Sequence, residues 1–128
     1  MKRFVKIVDK KTGKVIVEKA EIQEGFKKGV GFMFRKEETC LFFDFGREGK
    51  KINGIHTFFC PFPLKCVFLD KDFVIKEIAI VEPFKLYFPK NNVRYLIEFP
   101  YWWNLGFKEG QEIKAISENK PTDNKTKI

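Results

Sequence analysis

The hydrophobic pattern is one of short runs of β-branched and aromatic residues broken by Gly, Pro, Asn and Asp. Arg3 to Val8 and Lys14 to Glu18 flank Asp9-Lys10-Lys11-Thr12-Gly13, whose glycine supplies the positive φ of a short loop, so the first element predicted is a hairpin. From Ala20 to Gly29, Ile22 and Phe26 fall at helical spacing with Gln23, Glu24, Lys27 and Lys28 on the other side. Gly29 stands at the stop, which predicts one short helix. Cys40 to Phe45 is apolar on both faces, the pattern of a strand in the middle of a sandwich or under a helix. Gly46 to Gly54, rich in Gly and Lys, predicts an exposed loop.

His56 to Phe59 and Leu64 to Leu69 read as two strands hinged at Pro61 and Pro63, which fix φ and remove two backbone donors. Asp70-Lys71-Asp72 turns the chain into Phe73 to Val81, a strand that Glu82-Pro83 ends, and Phe84 to Phe88 is a further short extended piece. Val93/Tyr95/Ile97/Phe99 alternate with Arg94/Leu96/Glu98, which predicts a strand with one wetter face. After Pro100, Tyr101 to Leu105 suits a single helical turn stopped by Gly106, and Gln111 to Ile116 is the last strand. The fold class predicted is mainly β, antiparallel, sandwich- or barrel-like, with one or two short helices. One domain spans residues 1–117, and the polar residues 118–128 form a disordered tail.

Composition changes this picture in two places. Sixteen phenylalanines in 128 residues predict an aromatic core, with Phe58 and Phe68 among its rings. The net charge of +8 is uneven, because residues 1–20 hold seven Lys or Arg against Asp9 and Glu18, and that surplus suits a solvated strand edge protected from aggregation. Three cysteines without a Cys-x-x-Cys, and an N-terminus without an apolar leader core, predict free thiols in a reducing cytoplasm. No apolar run reaches the length of a spanning helix, so no membrane partner is expected.

Candidate chemistry is sparse. Ser117 is the only serine and stands at the start of the polar tail, which removes Ser/His/Asp catalysis. His56 and Cys60 share a face by period two, which leaves an enzyme or metal site using His56 with Cys60 or Cys66 as an alternative. Cys40, His56, Cys60 and Cys66 lack the close ligand pairs of zinc sites, so no metal or other cofactor is expected. Rings interleaved with cations at Phe84 to Lys90, and at Tyr101-Trp102-Trp103, keep weak single-stranded nucleic-acid binding as a further alternative. Adjacent tryptophans do not readily both face inward, so the Trp102/Trp103 corner is a candidate binding surface.

Gly31-Phe32-Met33-Phe34-Arg35 resembles the Gly-Leu-Met-Phe-Arg signature of the family called domain of unknown function 192. Leu41-Phe42-Phe43-Asp44-Phe45, His56-Thr57-Phe58-Phe59, Phe62-Pro63-Leu64, Val67-Phe68-Leu69-Asp70 and Arg94-Tyr95-Leu96-Ile97-Glu98, then Gly106 and Gly110, follow in the family's order from about Ala20 to Ile116. The resemblance implies a compact, mostly β domain, and it brings no established activity and no catalytic residues. The chain departs from the family pattern at Cys60, Pro61 and Lys65, at Phe73 where a turn glycine is common, and at Gln111 where Asp is usual. Arg35 and His56 are the polar motif residues retained, and pairing with Asp44 is one structural role open to Arg35. The expected function is a non-enzymatic module that binds a small ligand or a protein near Arg35, His56, Trp102 and Trp103.

Overall fold

The structure, a computed structural model, describes residues 2–24, 32, 38–50 and 53–117. Nine strands follow in chain order: β1 (Phe4–Asp9), β2 (Val15–Gln23), β3 (Leu41–Gly49), β4 (Ile55–His56), β5 (Leu64–Leu69), β6 (Ile75–Val81), β7 (Leu86–Tyr87), β8 (Val93–Pro100) and β9 (Ile113–Ser117). Seven form one sheet in the order β6-β5-β8-β3-β2-β1-β9, and β4 pairs with β7 in a separate two-stranded ribbon. Neighbours in the large sheet are antiparallel except β2 and β3, which run parallel with Glu21, Ile22 and Gln23 opposite Leu41, Phe42 and Phe43. The mostly β class holds, and the sheet is mixed rather than wholly antiparallel. The long stretch between Gln23 and Leu41 gives the chain the length a parallel connection needs.

The sheet rolls on one of its own faces. A single buried cluster draws Val5 and Ile7 from β1, Phe42 from β3, Val67 and Leu69 from β5, Ile97 and Phe99 from β8 and Ala115 from β9. The two edge strands approach only at one end, where Val74 bridges Glu112 and the Ile75 N–H donates to the Gln111 carbonyl at 2.9 Å. The roll is therefore barrel-like but open, since β6 and β9 share no ladder along the rest of their length.

The outward face of the central strands is buried as well. Leu41, Phe43, Cys66, Phe68, Leu96 and Val81 form a second cluster, covered by Phe32, Cys60, Ile55, Phe62 and Tyr87. Among the described residues this cover, the cap, is built from the β4–β7 ribbon and its flanking turns. It has little regular ladder of its own, and buried polar side chains tie it to the sheet. Glu77 of β6 accepts from the Tyr87 hydroxyl, from the Lys90 N–H at 2.9 Å and from the Asn91 N–H at 3.2 Å. Asn53 donates from its amide to the carbonyls of Val93 at 2.7 Å and Arg47 at 2.9 Å.

Several sequence expectations change. Ala20 to Gln23 continue β2 instead of opening a helix, because their period-two alternation puts Ala20 and Ile22 toward the barrel core while Glu21 and Gln23 share the outward face with Leu41 and Phe43. Residues 25–29 of that predicted helix, and the tail from residue 118, lie outside the described residues. Tyr101 to Leu105 is a turn, closed by the Trp103 N–H on the Pro100 carbonyl at 3.0 Å, and among the described residues there is no α-helix. Residues 46–49 extend β3 past an irregularity at Gly46, whose φ is +87°, instead of starting a loop. Ser117 sits within β9, opposite Val5, rather than in the tail. Of the predicted His56–Phe59 strand only His56 is extended, following Ile55 in β4; Phe58 and Phe59 turn outward. The outer face of β8 is not wet, because the cap covers Leu96 and Glu98.

Phe68 is fully buried and Phe58 is 38% exposed, so the two rings expected in the core part company. In urea denaturation Phe68→Ala should lose about 3–5 kcal/mol and Phe58→Ala less than about 1 kcal/mol. Equal losses would contradict the cap geometry.

Candidate functional site

Thr57 is fully buried where two cap turns meet back to back. Its hydroxyl donates to the Glu82 carbonyl at 2.5 Å and accepts the Lys85 N–H at 2.9 Å, so it closes the Glu82–Lys85 turn from outside the turn. Its backbone N–H donates to the Lys85 carbonyl at 2.9 Å, and its carbonyl accepts the Phe84 N–H at 3.0 Å and the Cys60 N–H at 3.2 Å. One threonine thus locks both turns in one geometry.

The third residue of each turn is a phenylalanine in the left-handed region, Phe59 at φ 61° and Phe84 at φ 62°. That is the position a type II turn reserves for glycine, and Pro83 just before Phe84 is the proline such a turn favours. The conformation aims the two rings outward, 50% and 58% exposed, where they meet edge to face at 5.3 Å. Phe58 lies 6.4 Å from Phe84 and stacks on His56 at 5.1 Å. Leu86 and Phe88, in and beside β7, are also exposed. These side chains form an aromatic ridge.

The candidates from the sequence separate. His56 belongs to the ridge, and its Nδ1 accepts the Phe58 N–H at 3.1 Å. Trp102 is exposed and packs edge to face on Phe62 at 5.1 Å, and Phe62 meets Phe32 at 5.7 Å, so this tryptophan lies over the second cluster. Trp103 turns the other way, packs near Phe99 of the barrel core and donates from Nε1 to Glu38 at 3.2 Å. Arg35 lies outside the described residues, and the carboxylate of Asp44 is paired with Arg94 at 3.0 Å. Thr57, Phe59 and Phe84 escape sequence reasoning because left-handed φ at a phenylalanine leaves no signal in composition or spacing. Pro83 was the one usable hint of a turn.

The thiols are poor nucleophiles here. Burial, with the Glu98 carboxyl nearby, pushes Cys60 up to about 12 and raises Cys40 and Cys66 as well, so none is a thiolate at neutral pH. Cys60 faces the second cluster, and Cys66 donates to Glu98 Oε2 at 3.9 Å. Among the described residues no three His, Cys, Asp or Glu side chains gather as a metal site.

A rolled, mixed β-sheet with an aromatic, polar-anchored cap defines the class: a small, mostly β domain with an exposed ring cluster. The chain belongs to the DUF192 family, described as uncharacterised, whose model matches residues 6–115. It is similar to UPF0127 proteins of Pyrococcus horikoshii, 34% identical over 74 residues, and Pyrococcus abyssi, 32% identical over 83 residues. Those matches take in 58% and 64% of this chain and 64% and 71% of the two relatives, so just under two thirds of the first relative is spanned. Two crystal structures share the fold at a TM-score of 0.71. One is a Sinorhizobium meliloti protein described as a candidate transcription regulator, 19% identical, with 90% of this chain and 94% of that one covered. The other is a protein of unknown function from Novosphingobium aromaticivorans, 18% identical, with 86% and 84% covered.

Glu98, 4% exposed, is pushed up to about 8 by burial, so it is neutral in the fold at a pH where the unfolded chain ionises it. The fold then binds the extra proton, and this stability is complete below the ordinary value of 4.5 and lost as pH rises through about 8. The wild type should lose roughly 5 kcal/mol across that window, at about 1.4 kcal/mol per unit, while Glu98→Gln should be flat there. Denaturant titrations at several pH values measure both, and equal slopes would show that Glu98 is not the cause.

Proposed function

We propose that this protein is a non-enzymatic binding module whose recognition surface is the ridge of His56, Phe58, Phe59 and Phe84, and that its partner is a protein offering an apolar socket. The observation that carries this reading is the pair Phe59 and Phe84. Each holds a bulky residue in a conformation that costs of order 1–3 kcal/mol outside glycine, and each leaves half or more of its ring in water. Among the described residues neither ring belongs to a core cluster, and this strained, half-exposed pair supports contact with a partner.

Phe73 supplies the contrast. It shares the same φ of 61°, but its ring stacks on Tyr95 at 4.2 Å against the barrel core. There the conformation is repaid by burial.

Charge favours a protein over a polyanion. Residues 55–62 and 82–89 carry only Glu82 and Lys85 as formal charges, which cancel, whereas the basic surplus lies in residues 1–20. The transcription-related description of the Sinorhizobium neighbour therefore finds no cationic counterpart on the ridge.

Phe59→Gly and Phe84→Gly should each leave stability within about 1 kcal/mol of wild type, because relief of the left-handed strain offsets the lost ring contact and the added chain entropy. Phe73→Gly should cost about 2 kcal/mol or more, because its ring packs against the core. A photo-crosslinking benzoylphenylalanine at position 84 should give a discrete protein adduct in cells, suppressed by excess wild-type chain but not by excess Phe84→Gly chain. Loss of more than about 2 kcal/mol in Phe84→Gly would make the ring structural. An adduct no stronger than one from the same group at Lys114 would remove the partner.

A further inference from the structure

A cleft of about 790 Å³ opens at the end of the roll where β6 and β9 meet, between the β1–β2 hairpin tip and the loop that leads into β9. It lies apart from the ridge and shares no residue with it. Val15, Ile16 and Leu105 contribute its apolar lining, and Lys11, Lys14 and Lys108 stand around them.

Its frame is braced. The Gln111 side chain accepts the Lys108 N–H at 3.0 Å and donates to Asp9 Oδ1 at 2.8 Å, which staples the loop to the hairpin. This is the position where the family resemblance led one to expect Asp. A carboxylate there would face Asp9 and could not donate to it.

The lining carboxylates are occupied. Asp9 is held down at about 2 by the Gln111 amide and by the Thr12 N–H and hydroxyl, and Glu112 faces Lys10 at 3.6 Å. Lys11, Lys14 and Lys108 have no such partner among the described residues. The cleft thus offers three uncommitted cations beside an apolar strip, on a rigid frame. Its volume falls within the range of about 300–1,000 Å³ typical of small-molecule sites and exceeds what a bare ion fills.

We propose that this cleft binds a small organic anion, a carboxylate or phosphate monoester carried on an apolar body. The lysines take the anion and Val15, Ile16 and Leu105 take the body. The anion alone would find only solvated lysines, and the body alone only a narrow strip, so affinity requires both parts.

The full chain, labelled with ¹⁵N, can be titrated with 1-naphthyl phosphate, 1-naphthol and inorganic phosphate, reading amide shifts. Naphthyl phosphate should give saturable shifts at Thr12, Leu105, Gly106, Gly110 and Gln111, with the other two probes at least about tenfold weaker. Lys14→Glu and Lys108→Glu should each weaken it by about fivefold or more, and Leu105→Ser should weaken it while leaving inorganic phosphate unchanged. Lys14 and Lys108 are at the surface and Leu105 is partly buried against the barrel core, and unchanged shifts for barrel residues such as Ile97 confirm that the variants fold. Phe84→Gly should leave the titration as it is, which separates this site from the ridge. Inorganic phosphate binding as tightly as naphthyl phosphate, shifts centred on Phe58 and Phe84, indifference to the lysine changes, or no saturation by about 10 mM would each overturn the proposal.

Discussion

The cap exists because β3, β5 and β8 carry apolar side chains on both faces. Rolling the sheet buries one face, with Phe42, Val67 and Ile97 inside. It leaves Leu41, Phe43, Phe68 and Leu96 on the other, and at about 25 cal/mol per Å² such a surface does not stay in water. Something must lie across it. A helix would be the usual solution, but the described cover is a two-residue ribbon and a set of turns.

A cover without a ladder has to be held in register by other means, and buried polar groups do this. Thr57 joins the two ridge turns, Glu77 gathers Tyr87, Lys90 and Asn91, and Asn53 ties its loop to β3 and β8. Along the same face Glu98 lies in register with Leu41 on one side and Cys66 on the other, kept neutral by its surroundings. Gln23, also buried there, has neither amide atom hydrogen-bonded, and nothing in the described structure explains it. Anchors at fixed points let the turns between them adopt a conformation that packing alone would not select. The outward Phe59 and Phe84 follow from that.

The strands were readable where alternation or continuous apolar character is strong: β1, β2 at its start, β3, β5, β6, β8 and β9 all fall on runs the pattern marks. The family resemblance, carried by motifs from Gly31 to Gly110, agrees with the matched residues 6–115. What failed did so for tertiary reasons. Ile22 looked helical because the parallel partner at Leu41–Phe43 is distant in sequence. Glu98 looked solvated because a carboxylate usually is, and only the cap makes it otherwise. Phe58 looked like core because a phenylalanine in an apolar run usually is. Trp102 is exposed and His56 partly so, but the residues that shape the ridge are Thr57 and the two left-handed phenylalanines, whose backbone geometry leaves no trace in residue type.

Thr57 holds the cap turns while the barrel holds itself. Native-state amide hydrogen exchange on Thr57→Val tests this most directly, because valine keeps the shape and removes the hydroxyl that serves Glu82 and Lys85. Protection at the Phe84 and Lys85 amides should fall by about tenfold or more, consistent with 1–3 kcal/mol for stranding those groups, while Phe42 and Ile97 in the barrel keep theirs to within about threefold. A uniform loss across cap and barrel, or no change at Lys85, would contradict it.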